Sequence, residues 1–202
     1  MYRMQRAAKV RSLCWTLCVL FGALLSSVEA QSFTDVTATW GVGDSAQSIG
    51  SAWGDYDADG DLDLYVVFSG GASNILYTNT GSAFTASGQA EQTGTNDNGA
   101  TWGDYDGDGD LDLFTTDASG NDFLWQNSGG SFSDVASGAG VQVGGDYSPG
   151  WVDYDRDGDL DLYIGNYSGS NRLFQNDGAG SFADVASAAC VANAGNTEGT
   201  AW

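Results

Sequence analysis

Past residue 30 the apolar residues come in short alternating runs, and no stretch shows helical period. Leu62-Asp63-Leu64-Tyr65-Val66-Val67-Phe68, Leu111-Asp112-Leu113-Phe114 and Leu160-Asp161-Leu162-Tyr163-Ile164 alternate from the first residue, which is strand period with strand composition. A second short run follows each: Asn74-Ile75-Leu76-Tyr77-Thr78-Asn79, Asn121-Asp122-Phe123-Leu124-Trp125-Gln126-Asn127 and Asn171-Arg172-Leu173-Phe174-Gln175-Asn176. A glycine-rich turn then leads to Phe132-Ser133-Asp134-Val135 or Phe182-Ala183-Asp184-Val185. Phe33-Thr34-Asp35-Val36 opens the series in the same way, whereas Phe84-Thr85-Ala86-Ser87 lacks the Asp-Val pair. With the strands that carry Trp53, Trp102 and Trp151, the pattern predicts four short strands per unit, joined by Gly, Ser, Asn and Asp turns.

The units repeat strictly. Asp55 to Asp104 is 49 residues, Asp104 to Asp153 is 49 again, and the tryptophans keep the same spacing. A period of this size marks stacked supersecondary units, since no single unit buries both its faces. The expected fold is all-β: a partial β-propeller of three four-stranded blades. Thr200-Ala201-Trp202 matches Ser51-Ala52-Trp53, so the start of a fourth blade is expected there, and the sequence reads as a piece of a longer array. Thirty glycines and one proline fit tight hairpins between apolar strands.

Between the Trp strand and the next strand of each unit lies an acidic loop. Asp55, Asp57, Asp59, Asp61 and Asp63 alternate through the first; Asp104, Asp106, Asp108, Asp110 and Asp112 through the second; Asp153, Asp155, Asp157, Asp159 and Asp161 through the third. Gly60, Gly109 and Gly158 stand at position 6, where a sharp turn is needed. Calcium takes about 6–8 oxygen ligands at about 2.3–2.6 Å, and alternate carboxylates around a turn supply them. An EF-hand would place Glu at position 12, where this chain has Val66, Thr115 and Ile164. The plain alternative is a solvated turn, since Asp and Gly are common turn residues. Five carboxylates within nine residues repel one another without a cation, however, and the arrangement recurs three times in one register. Magnesium demands stricter octahedral geometry and keeps its waters, so calcium is the expected ion, one per loop.

The full chain has a formal charge of −21, and past residue 30 there are 26 acids against Arg156 and Arg172 alone. Nucleic acid is not an expected partner, because binding it rests on Lys and Arg neutralising phosphates. Residues 1–30 read as a secretory signal peptide: Arg3, Arg6, Lys9 and Arg11 precede an apolar run from Leu13 to Leu25, and Val28-Glu29-Ala30 suggests cleavage before Gln31. An uncleaved anchor is the alternative, but the run is short for a span of about 20 residues. The expected location is secreted, extracellular or cell-surface, with the periplasm also open, and no membrane span in the mature chain. Cys14 and Cys18 fall inside the apolar run, leaving Cys190 without an intrachain partner and expected to be a small buried residue.

The loop pattern D-x-D-x-D-G-x-x-D, preceded by Trp and followed by Leu-x-Leu in repeats of this length, resembles the FG-GAP and VCBS repeat family. That family includes the integrin α-subunit propeller and many secreted bacterial proteins. The Asn-x-x-Leu or Asn-x-Leu segment followed by Phe-x-Asp-Val is most similar to the branch joined to an ASPIC and UnbV domain. The resemblance covers residues 32–202 and implies seven-bladed propellers with calcium in loops on one face and ligands on the opposite face. It implies calcium ligation by the fifteen aspartates named above, with Asp61, Asp110 and Asp159 acting mainly through their backbone.

Three functions fit. The first is a secreted, calcium-binding module for an extracellular protein or carbohydrate ligand, adhesion-like in character. The second is an accessory part of an extracellular polysaccharide-active enzyme; carboxylate pairs run glycoside hydrolysis, but Asp97, Asp117, Asp122 and Asp146 show no acid and base spacing. The third is a rigid spacer. The chain has no histidine, which excludes within it a Ser-His-Asp triad, a Cys-His pair and histidine-containing zinc motifs, so no catalysis is expected. A ligand face would use the segments entering the Trp strands, near Thr95 to Gly99 and Asp146 to Gly150. The tryptophans are expected to pack rather than to stack on sugars.

Overall fold

The computed structural model describes residues 32–92, 97–144, 146–167, 169–195, 197 and 199. Residues 1–30, expected to be a signal peptide, and Thr200 to Trp202, expected to begin a fourth blade, lie outside the described residues. Among the described residues, twelve strands form three four-stranded antiparallel sheets, each built from consecutive strands. The first blade holds β1 (Ser48–Gly54), β2 (Asp63–Phe68), β3 (Ile75–Asn79) and β4 (Phe84–Ala86). The second holds β5 (Asp97–Gly103), β6 (Asp112–Asp117), β7 (Phe123–Ser128) and β8 (Ser131–Asp134). The third holds β9 (Asp146–Val152), β10 (Asp161–Asn166), β11 (Arg172–Asn176) and β12 (Phe182–Asp184).

The registers repeat residue for residue. Trp53 pairs with Leu64, Trp102 with Leu113 and Trp151 with Leu162, and one step further each strand pair ends at Asp63, Asp112 or Asp161. Each acidic loop is therefore the connection between the first and second strands of a blade. An irregularity near the far end of this pair recurs too, at Ser48/Gly50, Asp97/Gly99 and Gly165/Asn166. Asp97 to Gly99 and Asp146 to Gly150, expected as the segments leading into the Trp strands, already belong to β5 and β9; Thr93 to Asn96 lie outside the described residues.

The core sits between blades. Tyr56, Tyr65, Val67 and Leu76 of the first blade meet Leu113, with Trp102 and Phe132 of the second packed against them. Tyr105, Phe114, Leu124 and Val141 meet Leu162, Ile164 and Phe174, with Trp151 and Phe182 at the margin. Strand β6 has neighbours on both faces and is buried throughout, so its polar positions Thr115, Thr116 and Asp117 are buried along with Leu113 and Phe114. The array is β-propeller-like and open; it does not close into a ring among the described residues.

Tryptophan placement explains the contact. Trp102 of the second blade lies on Gly54 of the first, where a Cβ would come within 2.8 Å of its ring, and Trp151 lies on Gly103, where the distance would be 2.6 Å. Each ring also stacks on a loop tyrosine: Tyr56 with Trp102 at 6.3 Å and 9°, Tyr105 with Trp151 at 6.1 Å and 10°. Phe132 and Phe182 close the two groups. Tyr56 and Tyr105 are 6% and 5% exposed, whereas Tyr154, whose sequence equivalent of a partner is Trp202, is 37% exposed. These tryptophans are inter-blade packing elements.

Short helical turns at Thr37–Trp40 and Ala136–Ala139 were not legible in the pattern of apolar positions. Each follows a Phe-x-Asp-Val segment, and each ends at a left-handed glycine, Gly41 or Gly140. In the third repeat Cys190 occupies that place with φ 60°, and Val191 N–H closes the turn onto the Ala186 carbonyl as Val141 does onto Ala136. The expectation that Cys190 is buried is corrected here: the left-handed turn residue faces solvent and its thiol is exposed. Phe33 to Val36 forms no strand.

Candidate metal centres

A loop of this composition must turn twice within nine residues. Position 4 adopts a left-handed backbone in every copy, at Ala58 (φ 57°), Gly107 (72°) and Arg156 (66°), and position 6 does so again at Gly60 (96°), Gly109 (96°) and Gly158 (103°). Glycine takes such angles freely, whereas Ala and Arg there are strained. The turns are fastened by carboxylates accepting backbone N–H groups. Asp55 accepts from Asp59 (3.1 Å) and Gly60 (3.0 Å), and Asp104 accepts from Gly109 (3.1 Å). At position 5, Asp59, Asp108 and Asp157 each accept from the residue two further on, at 2.9, 2.9 and 3.0 Å.

Position 9 is a buried brace. Asp63 accepts from Tyr56 N–H (3.1 Å) and Asn79 N–H (2.7 Å), Asp112 from Tyr105 (3.1 Å) and Asn127 (2.8 Å), and Asp161 from Tyr154 (3.1 Å) and Asn176 (2.9 Å). All three carboxylates are buried. Burial raises the carboxyl groups of Asp63 and Asp161 despite these bonds, and pushes Asp112 up to about 7, with the charges of Asp106 and Asp108 adding to it. Burial also raises Asp57, beside Asp59 and Asp55.

Three groups of carboxylate oxygens gather within 4.8 Å of one another: Asp55, Asp57 and Asp63; Asp104, Asp106 and Asp108; and Asp153, Asp155 and Asp161. Of the fifteen aspartates singled out in the sequence, Asp59, Asp112 and Asp157 fall outside these groups. The side chains of Asp61, Asp110 and Asp159 turn away: Asp61 Oδ2 and the Asp159 carboxylate lie against Gly81 and Gly178, and Asp110 accepts the Gly129 N–H at 2.7 Å. They brace the hairpin between the third and fourth strands.

The residues present fit a hard cation. Asp104 Oδ1 and Asp153 Oδ1 are buried and have no hydrogen-bond partner. An orphaned carboxylate oxygen is unfavourable by about 1–3 kcal/mol or more, and both sit in all-oxygen donor sets of the kind that suits calcium or magnesium. These clusters can hold metal ions.

Two supporting positions lie outside the sequence expectations. Gln126 and Gln175 donate from Nε2 to Asp106 and Asp155, each at 2.6 Å, fixing the position-3 carboxylate. Thr78 stands there in the first blade and bonds the Tyr56 hydroxyl at 2.6 Å instead. The next residue is always Asn. Asn127 Nδ2 donates to Leu111 O (3.0 Å) and across the blade boundary to Tyr56 O (2.8 Å); Asn176 Nδ2 donates to Leu160 O (3.1 Å) and to Tyr105 O (2.8 Å). The recurring Gln-Asn dipeptide at the end of the third strand was the available signal.

The register, the loop and the blade order together define the repeat, and the model of the FG-GAP-like repeat matches it three times, at residues 55–115, 104–164 and 153–202. The chain belongs to the FG-GAP-like repeat family. Each match begins at the first aspartate of an acidic loop, and the first two run through the acidic loop of the next repeat, so the FG-GAP unit is offset from the blade and spans the two inter-blade contacts described above. No curated protein matches the chain. The narrower resemblance to the ASPIC and UnbV branch has no support from these matches. No helix among the described residues is long and apolar enough to cross a membrane.

Proposed function

We propose that this FG-GAP repeat chain is a secreted, calcium-stabilised binding module that presents its propeller-like array to an extracellular protein or carbohydrate and performs no chemistry of its own. The observation that carries the metal part is the pair of buried, unpartnered oxygens on Asp104 and Asp153 within carboxylate groups. Asp55, Asp57 and Asp63, Asp104, Asp106 and Asp108, and Asp153, Asp155 and Asp161 would hold the ions; the remaining loop aspartates would support them through backbone carbonyls and turn bonds. A bound cation supplies charge neutralisation and cross-links the loop, which binds the folded state and so stabilises it.

The chain's own residues do the rest. Position-9 aspartates tie the loop to the third strand, and Tyr56 and Tyr105 carry it into the blade interface. Metal loading thereby stiffens the surface that the blades jointly form, which is what a binding scaffold requires. The basic-then-apolar pattern of residues 1–30 supports the secreted reading, and secretion is tested by asking whether deleting them retains the protein in the cell. Ligand class is tested by probing the calcium-loaded chain against neutral and acidic polysaccharides and against matrix proteins. Saturable, chelator-sensitive binding to one class supports the module; turnover of a polysaccharide by the chain would overturn the non-catalytic reading.

A further inference from the structure

Asn127 and Asn176 do more than close their own hairpins. Asn127 backbone N–H donates to Asp112 of the second loop, and its amide donates both to Leu111 O of that loop and to Tyr56 O, between Asp55 and Asp57 of the first. Asn176 repeats this one blade on, with its N–H on Asp161, and its amide on Leu160 O and on Tyr105 O, between Asp104 and Asp106. Both side chains are buried, at 0% and 2% exposure, so water does not compete for these bonds. The Asn79 side-chain amide, in the first blade, donates to Leu62 O of its own loop, and its backbone N–H bonds Asp63 of that same loop.

From this continuous hydrogen-bonded path we propose that Asn127 and Asn176 are positioning residues that couple metal loading between adjacent loops, so that an ion entering one loop orders the carboxylates of the loop before it. The proposal rests on the calcium reading above. An ion in the second loop fixes Asp104, Asp106 and the peptide around Leu111; that holds Asn127, whose amide then fixes the Tyr56 carbonyl and the flanking Asp55 and Asp57. The Tyr56 ring stacks on Trp102, adjoining the second loop, which gives the same boundary a second rigid link. The first and third loops share no such bond among those described, so coupling passes between neighbours and reaches the ends only through the second loop.

The test is hydrogen exchange of the three loop segments, followed separately by mass spectrometry while the metal-stripped full chain is titrated with calcium. In the wild type the three protection midpoints should nearly coincide, with a Hill coefficient above 1. Asn127→Ala should move the midpoint of the first loop at least about fivefold to higher calcium, the lower end of ordinary coupling, and leave the third loop within twofold. Asn176→Ala should move the second loop and spare the first relative to it. Because removing a buried amide also loosens the fold, Asp106→Asn provides an independent arm: weakening the second loop alone should shift both the first and the third, whereas Asp57→Asn should shift the second more than the third. Midpoints in neighbouring loops that ignore all four substitutions, or that shift equally at all three loops, would overturn coupling while leaving calcium binding intact. No calcium-dependent protection in any loop of the folded wild type would instead defeat the calcium reading on which coupling depends, and coupling with it.

Discussion

At Asp112 burial drives the carboxyl up to about 7, two backbone N–H groups pull it back, and the charges of Asp106 and Asp108 add to the rise. The unfolded carboxyl titrates near the ordinary 3.8. Between those values the metal-free folded chain holds a proton that the unfolded chain does not, so stability of the stripped protein rises as pH falls from 8 towards 5, and gains nothing further from this group below its unfolded value. Asp63 and Asp161 act in the same sense. Calcium needs the carboxylates charged, so apparent affinity should fall from pH 8 to 6. Thermal unfolding in chelator, set beside calcium titration at the same pH values, checks both slopes; parallel slopes would contradict the account. Arg156 offers a second prediction. Its left-handed backbone costs about 1–2 kcal/mol, and Gly107 fills the equivalent place without that cost. Arg156→Gly should therefore raise stability by about 0.5–1 kcal/mol after the extra entropy of an unfolded glycine, read as a shift in denaturant midpoint at saturating calcium.

Strands, hairpins and the offset of loops within blades follow from local pattern, and so they were legible. Alternation at Leu62 to Phe68 and its two copies located the second strand, and the fifteen aspartates located the loop. What was not legible came from neighbours. The alternating pattern says nothing of β6 being enclosed on both faces, because that depends on two other blades. The role of Asn127 depends on Tyr56 lying 71 residues earlier in sequence but adjacent in space. The outward turn of Asp61, Asp110 and Asp159 depends on the hairpin glycines packed beside them. Cys190 is exposed although its residue type suggests burial, because it follows the Asp184-Val185 pair at a left-handed turn end like those at Gly41 and Gly140. A prediction at this scale concerns the seat for each tryptophan. Gly103→Ala places a methyl within 2.6 Å of the Trp151 ring, and overpacking of this kind destabilises by about 1–3 kcal/mol. Reduced thermal stability and altered Trp fluorescence should accompany it; unchanged values would mean that the blades are not seated as described.

Across the whole molecule, stability is expected to behave as a sum of repeats and boundaries, as in other arrays of stacked units. Little apolar core is private to one blade: Tyr56, Leu113 and Trp102 share one cluster, and Tyr105, Leu162 and Trp151 bear on the next. The acidic loops sit at the same boundaries, and the chain carries a formal charge of −21. On the calcium reading proposed above, neutralising the loops adds to its cohesion. The most direct test is calorimetric titration of the metal-stripped chain with calcium, with thermal unfolding recorded in calcium and in chelator. Near three sites per chain, with dissociation constants that reach about 0.1–1 mM in weak extracellular modules, and a melting temperature that climbs with calcium are the predicted result. A chain that is folded in chelator, binds no calcium and melts at the same temperature in both would contradict the account and return the aspartates to solvated turns.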